Sequence, residues 1–300
     1  MHQIELALFT GGIMKIKVRK LNFGHDKIMK KHWYKDNPVM THFLNSLHSV
    51  FPDGERLFIR TVKYFEKEIQ NPELRERVKG FIGQEVQHSL QHKKFTDTLD
   101  EQNLRSSEFI RWYADAAYEK GLEPALMKFG EFLFGRKGAE RLALSVTAAL
   151  EHYTAVLAET VLRDKDRIQS GMDESMSKML LWHAAEEIEH KSAAFDVFTE
   201  TAEGNYFDRM FGFTVGTLGL FGFITSGWIW YLFNDKDIKW GNMPEYLSES
   251  VPVHSRLFME LIIKALPYLR PDFHPDQIEN RILSEEFFKA ESEYFEKKAV

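Results

Sequence analysis

The sequence predicts an all-α protein, and three observations carry that expectation. Glu-x-x-His occurs twice, at Glu85/His88 and Glu187/His190. Each copy follows a lone glutamate on an earlier segment, Glu55 and Glu151 respectively. A strong helix breaker lies close to the midpoint of each pair: Asn71-Pro72 beside residue 70, and Ser170-Gly171 beside residue 169. Proline cannot continue a helix from the preceding turn, and glycine favours the left-handed conformation that ends one. If each breaker is the bend of an antiparallel hairpin, both acids of a pair stand level, roughly 20–25 Å from the bend at about 1.5 Å per residue. One glutamate from each of two helices and a Glu-x-x-His from each of two others is the ligand pattern of a two-metal centre. It belongs to a ferritin-like four-helix bundle, here with extra N- and C-terminal helices.

In chain order, residues 1–50 read as mixed and irregular. Phe51-Pro52-Asp53-Gly54 reads as a turn ending in an N-cap, so the first bundle helix would run from there to about residue 70, with Glu55 in its first turn. The second runs from Pro72 to Leu99, with proline at an N1-like position. Ser106 and Ser107 open an amphipathic helix carrying Trp112 and Tyr113. The third bundle helix spans Gly138 to Arg163, where Ala148 and Ala149 beside Glu151 allow close approach, and the fourth spans 174–203. Beyond 240, Pro267, Pro271 and Pro275 break the tail before a charged helix at about 276–298. The organisation expected is one helical domain over 1–300: a metal-binding bundle at 51–203, an apolar helix at 210–233 and C-terminal helices at 243–298.

Within Glu-x-x-His, positions i and i+3 share a helix face, so a carboxylate and an imidazole reach one metal. His183, Glu186, Glu187 and His190 form a single stripe at i, i+3, i+4 and i+7, which makes His183 a seventh ligand one turn before Glu187. Spacing alone does not choose between Glu186 and Glu187. Analogy with Glu85-x-x-His88 favours Glu187 and leaves Glu186 facing solvent or behind the ligands. His92, one turn after His88, reads as a hydrogen-bond partner of a ligand or a solvated histidine. His152 points about 100° from Glu151 and reads as structural. Glu159 reads as an ordinary surface acid or one behind the ligands. His2, His25, His32, His42, His48, His254 and His274 have no ligand-spaced partner and are assigned nothing.

Composition bounds the function. Three hundred residues with 44% hydrophobic content can bury one large core. The absence of cysteine excludes disulfides, iron–sulfur clusters, thiolate zinc and cysteine nucleophiles. A net charge of −6 gives no reason to expect nucleic acid. The N-terminus lacks the basic start of a secretory signal, and a start at Met14, ahead of Lys15, Lys17, Arg19 and Lys20, also makes sense. The location expected is the cytoplasm, with or without membrane association. The 25 phenylalanines suit a ring-lined core and an apolar substrate pocket.

Residues 211–233 hold no charge, long enough to cross a bilayer as a helix. Gly212 and Gly216 make a small-xxx-small pair, extended by Gly219, Gly222 and Gly227, while Trp228, Trp230 and Tyr231 gather near one end. A buried helix, a wall of the substrate entrance, peripheral membrane contact and a dimer interface fit the same residues.

Four runs carry a resemblance to a known group: Phe51–Glu55, Phe81–His88, Ala148–Ala155 and Trp182–Lys191. Over roughly residues 20–290 the chain resembles the bacterial family of predicted metal-dependent hydrolases. The set Glu55, Glu85, His88, Glu151, His183, Glu187 and His190 is also similar to that of di-iron arylamine N-oxygenases, which place a third histidine where His183 stands. Four carboxylates and three imidazoles suit two Fe ions, with Mn as the alternative, better than tetrahedral zinc. Four carboxylates also neutralise a di-ferrous pair. The reaction expected is activation of O2, as co-substrate, to oxidise a small organic molecule at nitrogen or an unactivated C–H. No residue supplies electrons, so an external electron donor is implied. Two-metal hydrolysis through a metal-bound hydroxide is the alternative, and a non-catalytic iron-storing or membrane-tethered bundle is the third.

Overall fold

The computed structural model describes residues 16–24 and 29–299; His2, His25 and the alternative start at Met14 lie outside the described residues. Among the described residues the architecture is all-α, and the only pairings of extended backbone are the isolated bridges Leu21–Ala299 and Tyr34–Met172.

Helix α1 spans Pro38–Phe65. It starts where Asn37 accepts hydrogen bonds from the backbone N–H groups of Val39 and Met40, with Pro38 in the first turn. The turn expected at 51–54 is therefore absent, and Glu55 lies deep inside the helix rather than in its first turn. Pro52 forfeits one backbone bond, and its carbonyl accepts from Ser89 Oγ (3.0 Å) and Arg56 Nε (3.2 Å). Helix α2 (Pro72–Glu101) begins at the expected bend, with Asn71 capping Glu73 and Leu74. Helix α3 (Ser106–Ala114) follows.

Helix α4 (Leu122–Arg163) changes direction at Gly135, whose φ of 70° only glycine adopts without strain. The expected start at 138 corresponds to its second limb. Helix α5 (Lys165–Gly171) forms the second bend, and Asp173 caps α6 (Glu174–His190). The fourth bundle helix was expected to reach 203. It is interrupted after His190, where the Lys191 side chain donates to the carbonyl of Ile278 and to Asn280 Oδ1, and the chain resumes as the short α7 (Ala193–Asp196), which runs on as a π turn to Thr201. Helices α8 (Tyr206–Asn234) and α9 (Met243–Ala265) follow. The expected charged tail helix is two, α10 (Arg281–Ala290) and α11 (Ser292–Lys298).

Helix α1 packs on α2, α4 and α8, and α6 packs on α4 and α2. Along α1, α2, α4 and α6 the core has three parts. One apolar cluster holds Val62, Phe65, Val78, Phe81 and Leu144; another holds Leu44, Leu47, Leu99, Leu162 and Trp182. Between them in each helix lies a layer of acids and histidines, flanked on both sides by side chains that exclude water.

Helix α8 is long and apolar enough to cross a membrane. Its glycine stripe is used inside the chain: a Cβ on Gly212 would stand 2.3 Å from the Ser145 carbonyl of α4, and one on Gly227 2.4 Å from Ser46 Oγ of α1. Phe207, Leu218, Ile229 and Phe233 stay exposed. Gly219, by contrast, has nothing within 4 Å of its Cβ position. Gly212→Ala is accordingly expected to cost about 1–3 kcal/mol in urea unfolding through overpacking. Gly219→Ala should stabilise by about 0.5–1 kcal/mol through helix propensity alone. Equal effects at the two sites would contradict this packing.

Candidate metal centre

The acid-and-histidine layer draws Glu55 from α1, Glu85 and His88 from α2, Glu151 from α4, and His183, Glu187 and His190 from α6. All seven are at most 5% exposed. His190 Nε2 lies 3.1 Å from Glu85 Oε1, 3.4 Å from Glu151 Oε2 and 3.4 Å from Glu187 Oε2. On the opposite side, Glu187 Oε1 lies 2.8 Å from His183 Nε2 and 3.3 Å from His88 Nδ1, and Glu55 Oε1 lies 3.9 Å from His183 Nε2. The donors thus form two adjacent groups able to hold a metal ion: Glu85, Glu151, Glu187 and His190, and Glu55, His88 and His183. Glu187 turns one oxygen to each group, and Glu85 Oε1 faces His190 while lying 3.8 Å from His88 Nδ1. Those two carboxylates stand where bridging ligands would.

The donor set fits a cation. Both oxygens of Glu55, Glu85 and Glu151, Oε2 of Glu187, Nδ1 of His88 and Nε2 of His190 are buried without a hydrogen-bond partner. An unpaired buried polar group costs about 1–3 kcal/mol, more when charged, so a concentration of them at one point calls for a positive partner.

The ring nitrogens facing away from the acids are all engaged. His88 Nε2 donates to Glu186 Oε2 (3.0 Å), and Glu186 Oε1 accepts from Arg19 (2.9 Å). His190 Nδ1 donates to Gln84 Oε1 (2.9 Å); the Gln84 amide nitrogen is committed to Glu189 (2.8 Å) and the Lys17 carbonyl (3.0 Å). His183 Nδ1 meets His92 Nε2 at 2.9 Å, and His92 Nδ1 meets His48 Nδ1 at 2.8 Å. Such contacts fix ring orientation and leave the inward nitrogen free to ligate.

Charge is frustrated here without a metal. Burial and the neighbouring Glu85 and Glu187 charges lift Glu55 well above the carboxylate range, and burial does the same to Glu151. Burial would raise Glu187 too, but His190, His183 and His88 hold it well below. Burial opposes the charged form of His88, yet hydrogen bonds to Glu186 and Glu187 push its pKa up to about 10. His190 is also raised, against its burial, by Glu187 and Glu151.

Between Glu186 and Glu187, which spacing left open, only Glu187 faces the donor groups. Glu186 is buried behind His88 rather than solvent-facing. His92 is a buried partner of His183. His152 packs on Tyr268, with ring centroids 5.0 Å apart, and is held neutral by burial. Glu159 pairs with Arg163 and Lys264 on the surface. His274 bonds Asp196 (2.8 Å), and His254 packs between Phe43 and Trp228.

Sequence reasoning missed three features. His48 sits two turns before Glu55 on one face of α1, a spacing hidden by the supposed turn at 51–54. Arg19 precedes the helices and carried no periodic signal. His32, His42 and Asp235 converge as a third possible metal group. Here, however, Trp33 Nε1 donates to Asn45 Oδ1, so the Asn45 amide donates to His42 Nδ1 and His42 Nε2–H donates to Asp235 (2.9 Å). His32 (2.6 Å) and Lys31 (3.3 Å) complete a satisfied clamp on Asp235.

The protein is thus an all-helical one with buried Glu/His groups of metal-binding type. Residues 17–279 match the family of predicted metal-dependent hydrolases, and the chain belongs to that family. No curated protein and no solved structure matches the chain.

Metal uptake is expected to displace protons from His88 and His190 and to tighten as pH rises. Calorimetric titration with Co(II) in two buffers of different ionisation enthalpy reads the proton count, and identical heats would contradict their role as ligands. Glu187→Ala should abolish uptake of a metal pair, whereas Glu186→Ala should weaken it by about 10–100-fold while keeping the stoichiometry.

Proposed function

We propose that the chain is a non-haem di-iron oxidase or oxygenase, built on a ferritin-like bundle of α1, α2, α4 and α6, that uses O2 to oxidise a small organic substrate. The single observation carrying this reading is the donor set itself: four carboxylates and three imidazoles, all from helices, with both oxygens of Glu55, Glu85 and Glu151 unpaired and Glu85 and Glu187 between the two groups. Oxygen-rich ligation with imidazole suits iron, or manganese, better than zinc. Four carboxylates match the charge of a di-ferrous pair, which lets it lie inside a bundle without uncompensated charge. When bound, the metal pair supplies the electrons and Lewis acidity for O2 chemistry, and an external donor restores them.

The chain's own side chains do the rest. Glu55, Glu85, Glu151 and Glu187 would hold the metals. His88, His183 and His190 set the metals' electronic character, and Glu186 and Gln84 keep two of those rings in one orientation. The apolar clusters on either side exclude bulk water. The exposed stripe Phe207, Leu218, Ile229 and Phe233 supports contact with a membrane or a second copy through residues 211–233 of a cytoplasmic protein.

Hydrolysis is the second reading, favoured by the description of the family. Against it stands the character of the donors: two-metal hydrolytic sites draw on loops and mixed Asp/His ligands, whereas this set is helical and glutamate-rich. Metal analysis of the purified protein, followed by anaerobic reduction and stopped-flow mixing with O2, separates the two. Bound iron and a transient visible band are expected. Zinc occupancy with esterase or phosphatase turnover would replace this reading with the hydrolytic one.

A further inference from the structure

Beside the candidate centre lie two cavities that the metal chemistry does not account for. One is bounded by α1, α4, α8 and the segment joining α3 to α4, and encloses about 950 Å³, part of it open to solvent. The other lies between α1, α4, α8 and α9 and encloses about 1100 Å³, also partly open. They share Phe51, Thr154 and Leu220 as lining residues, so these three side chains stand where the two approach each other, while α8 lines the first with Phe211, Val215 and Gly219 and the second, from another side, with Phe221, Thr225 and Trp228.

The meeting point adjoins the ligands. Phe51 is one helical turn before Glu55, and its ring centroid lies 5.4 Å from that of His183 and 5.0 Å from that of His92. Tyr113, on the wall of the first cavity, has its hydroxyl pKa raised by burial and by Tyr118, whose hydroxyl lies 2.5 Å from its own. Phe51 is therefore the partition between the cavities and the metal-binding side chains.

The walls define what fits. Among the described residues, Glu123 is the one charged side chain lining either cavity, it is engaged by Arg60, and no cation lines the walls to receive a carboxylate or phosphate. Along α8 the lining runs from Phe211 to Trp228, which is about 25 Å at helical rise. A compact aromatic ring would occupy only a fraction of that length.

We propose that the two cavities join past Phe51, Thr154 and Leu220 into one binding site for an uncharged hydrocarbon chain, with a segment of the chain against Phe51. Any polar head group of such a ligand stays at a mouth, beside the exposed apolar residues Leu218 of α8 and Phe258 and Met259 of α9. The proposal names the substrate class of the oxidative reading and rests on it only for the fate of the chain; binding stands apart from metal chemistry.

Gly219 gives a direct test, because it lines the first cavity and its Cβ direction is open. Gly219→Phe fills the cavity without touching a metal-binding residue. Gly222→Phe places the same ring one turn away, on the exposed side of the same helix, where the Cβ direction is also open. The probe is cis-parinaric acid, a fluorescent fatty acid, titrated into wild type and both variants, with Co(II) uptake recorded for each by absorbance. Wild type is expected to bind the probe, Gly219→Phe to weaken binding by about tenfold or more, and Gly222→Phe to stay within about twofold. Should Gly219→Phe fail to take up Co(II) as wild type does, the smaller Gly219→Leu reads the same effect. No probe binding by wild type, unchanged binding by the Gly219 variants, or equal loss in both positions overturns the proposal. Normal probe behaviour in a protein that takes up no metal leaves the cavity assignment standing and removes the oxidative reading instead.

Discussion

Four carboxylates buried at one level of a helical interior are the constraint from which the rest of this structure follows. An ionised carboxylate removed from water without compensation is too costly for a domain of ordinary stability to carry, let alone four. Three histidines offset part of that charge, and the raised positions of Glu55 and Glu151 show the remainder unresolved. A pair of divalent cations would relieve it. The surroundings are arranged to the same end: Glu186 and Gln84 hold the backs of His88 and His190, and Arg19 binds both Glu186 and Glu189 behind them. Loss of any of these would release an ionised group inside the protein rather than merely remove a contact.

Much of this was legible in the sequence because helical geometry is strict. The i, i+3 spacing fixes which face a Glu-x-x-His presents, and the breakers at Asn71-Pro72 and Gly171 fix the height at which paired acids meet. Local chemistry misled where a residue had two readings. Pro52 looked like a helix boundary, yet Asn37-Pro38 supplies the true start, and tertiary contacts to the Pro52 carbonyl sustain the helix through it. That error alone concealed His48. No breaker marks the interruption after His190, where the Lys191 side chain finds partners some ninety residues later in the chain. Arg19 was invisible for the same reason: its role exists only after the chain has folded around α6.

The apolar helix α8 shows how one composition serves several demands. Twenty-three uncharged residues satisfy the length and hydropathy of a bilayer span. In the fold, Gly212 lets it press against the backbone of α4 and Gly227 against the side chains of Ser46 of α1 and Phe109 of α3, and Ser46 Oγ donates to the Ile224 carbonyl (2.6 Å). Other sides border the two cavities, and Phe207, Leu218, Ile229 and Phe233 are exposed. Hydropathy sums over these faces and cannot distinguish them; only the pattern of glycines against bulky residues does.

The account stands or falls on metal ions inside the acid-and-histidine layer. Anomalous diffraction from crystals grown anaerobically with ferrous iron tests that most directly. Two peaks are predicted, one enclosed by Glu85, Glu151, Glu187 and His190 and one by Glu55, His88 and His183, with Glu85 and Glu187 lying between them. Folded protein showing no peak in the layer, or a peak confined to His32, His42 and Asp235, would contradict it.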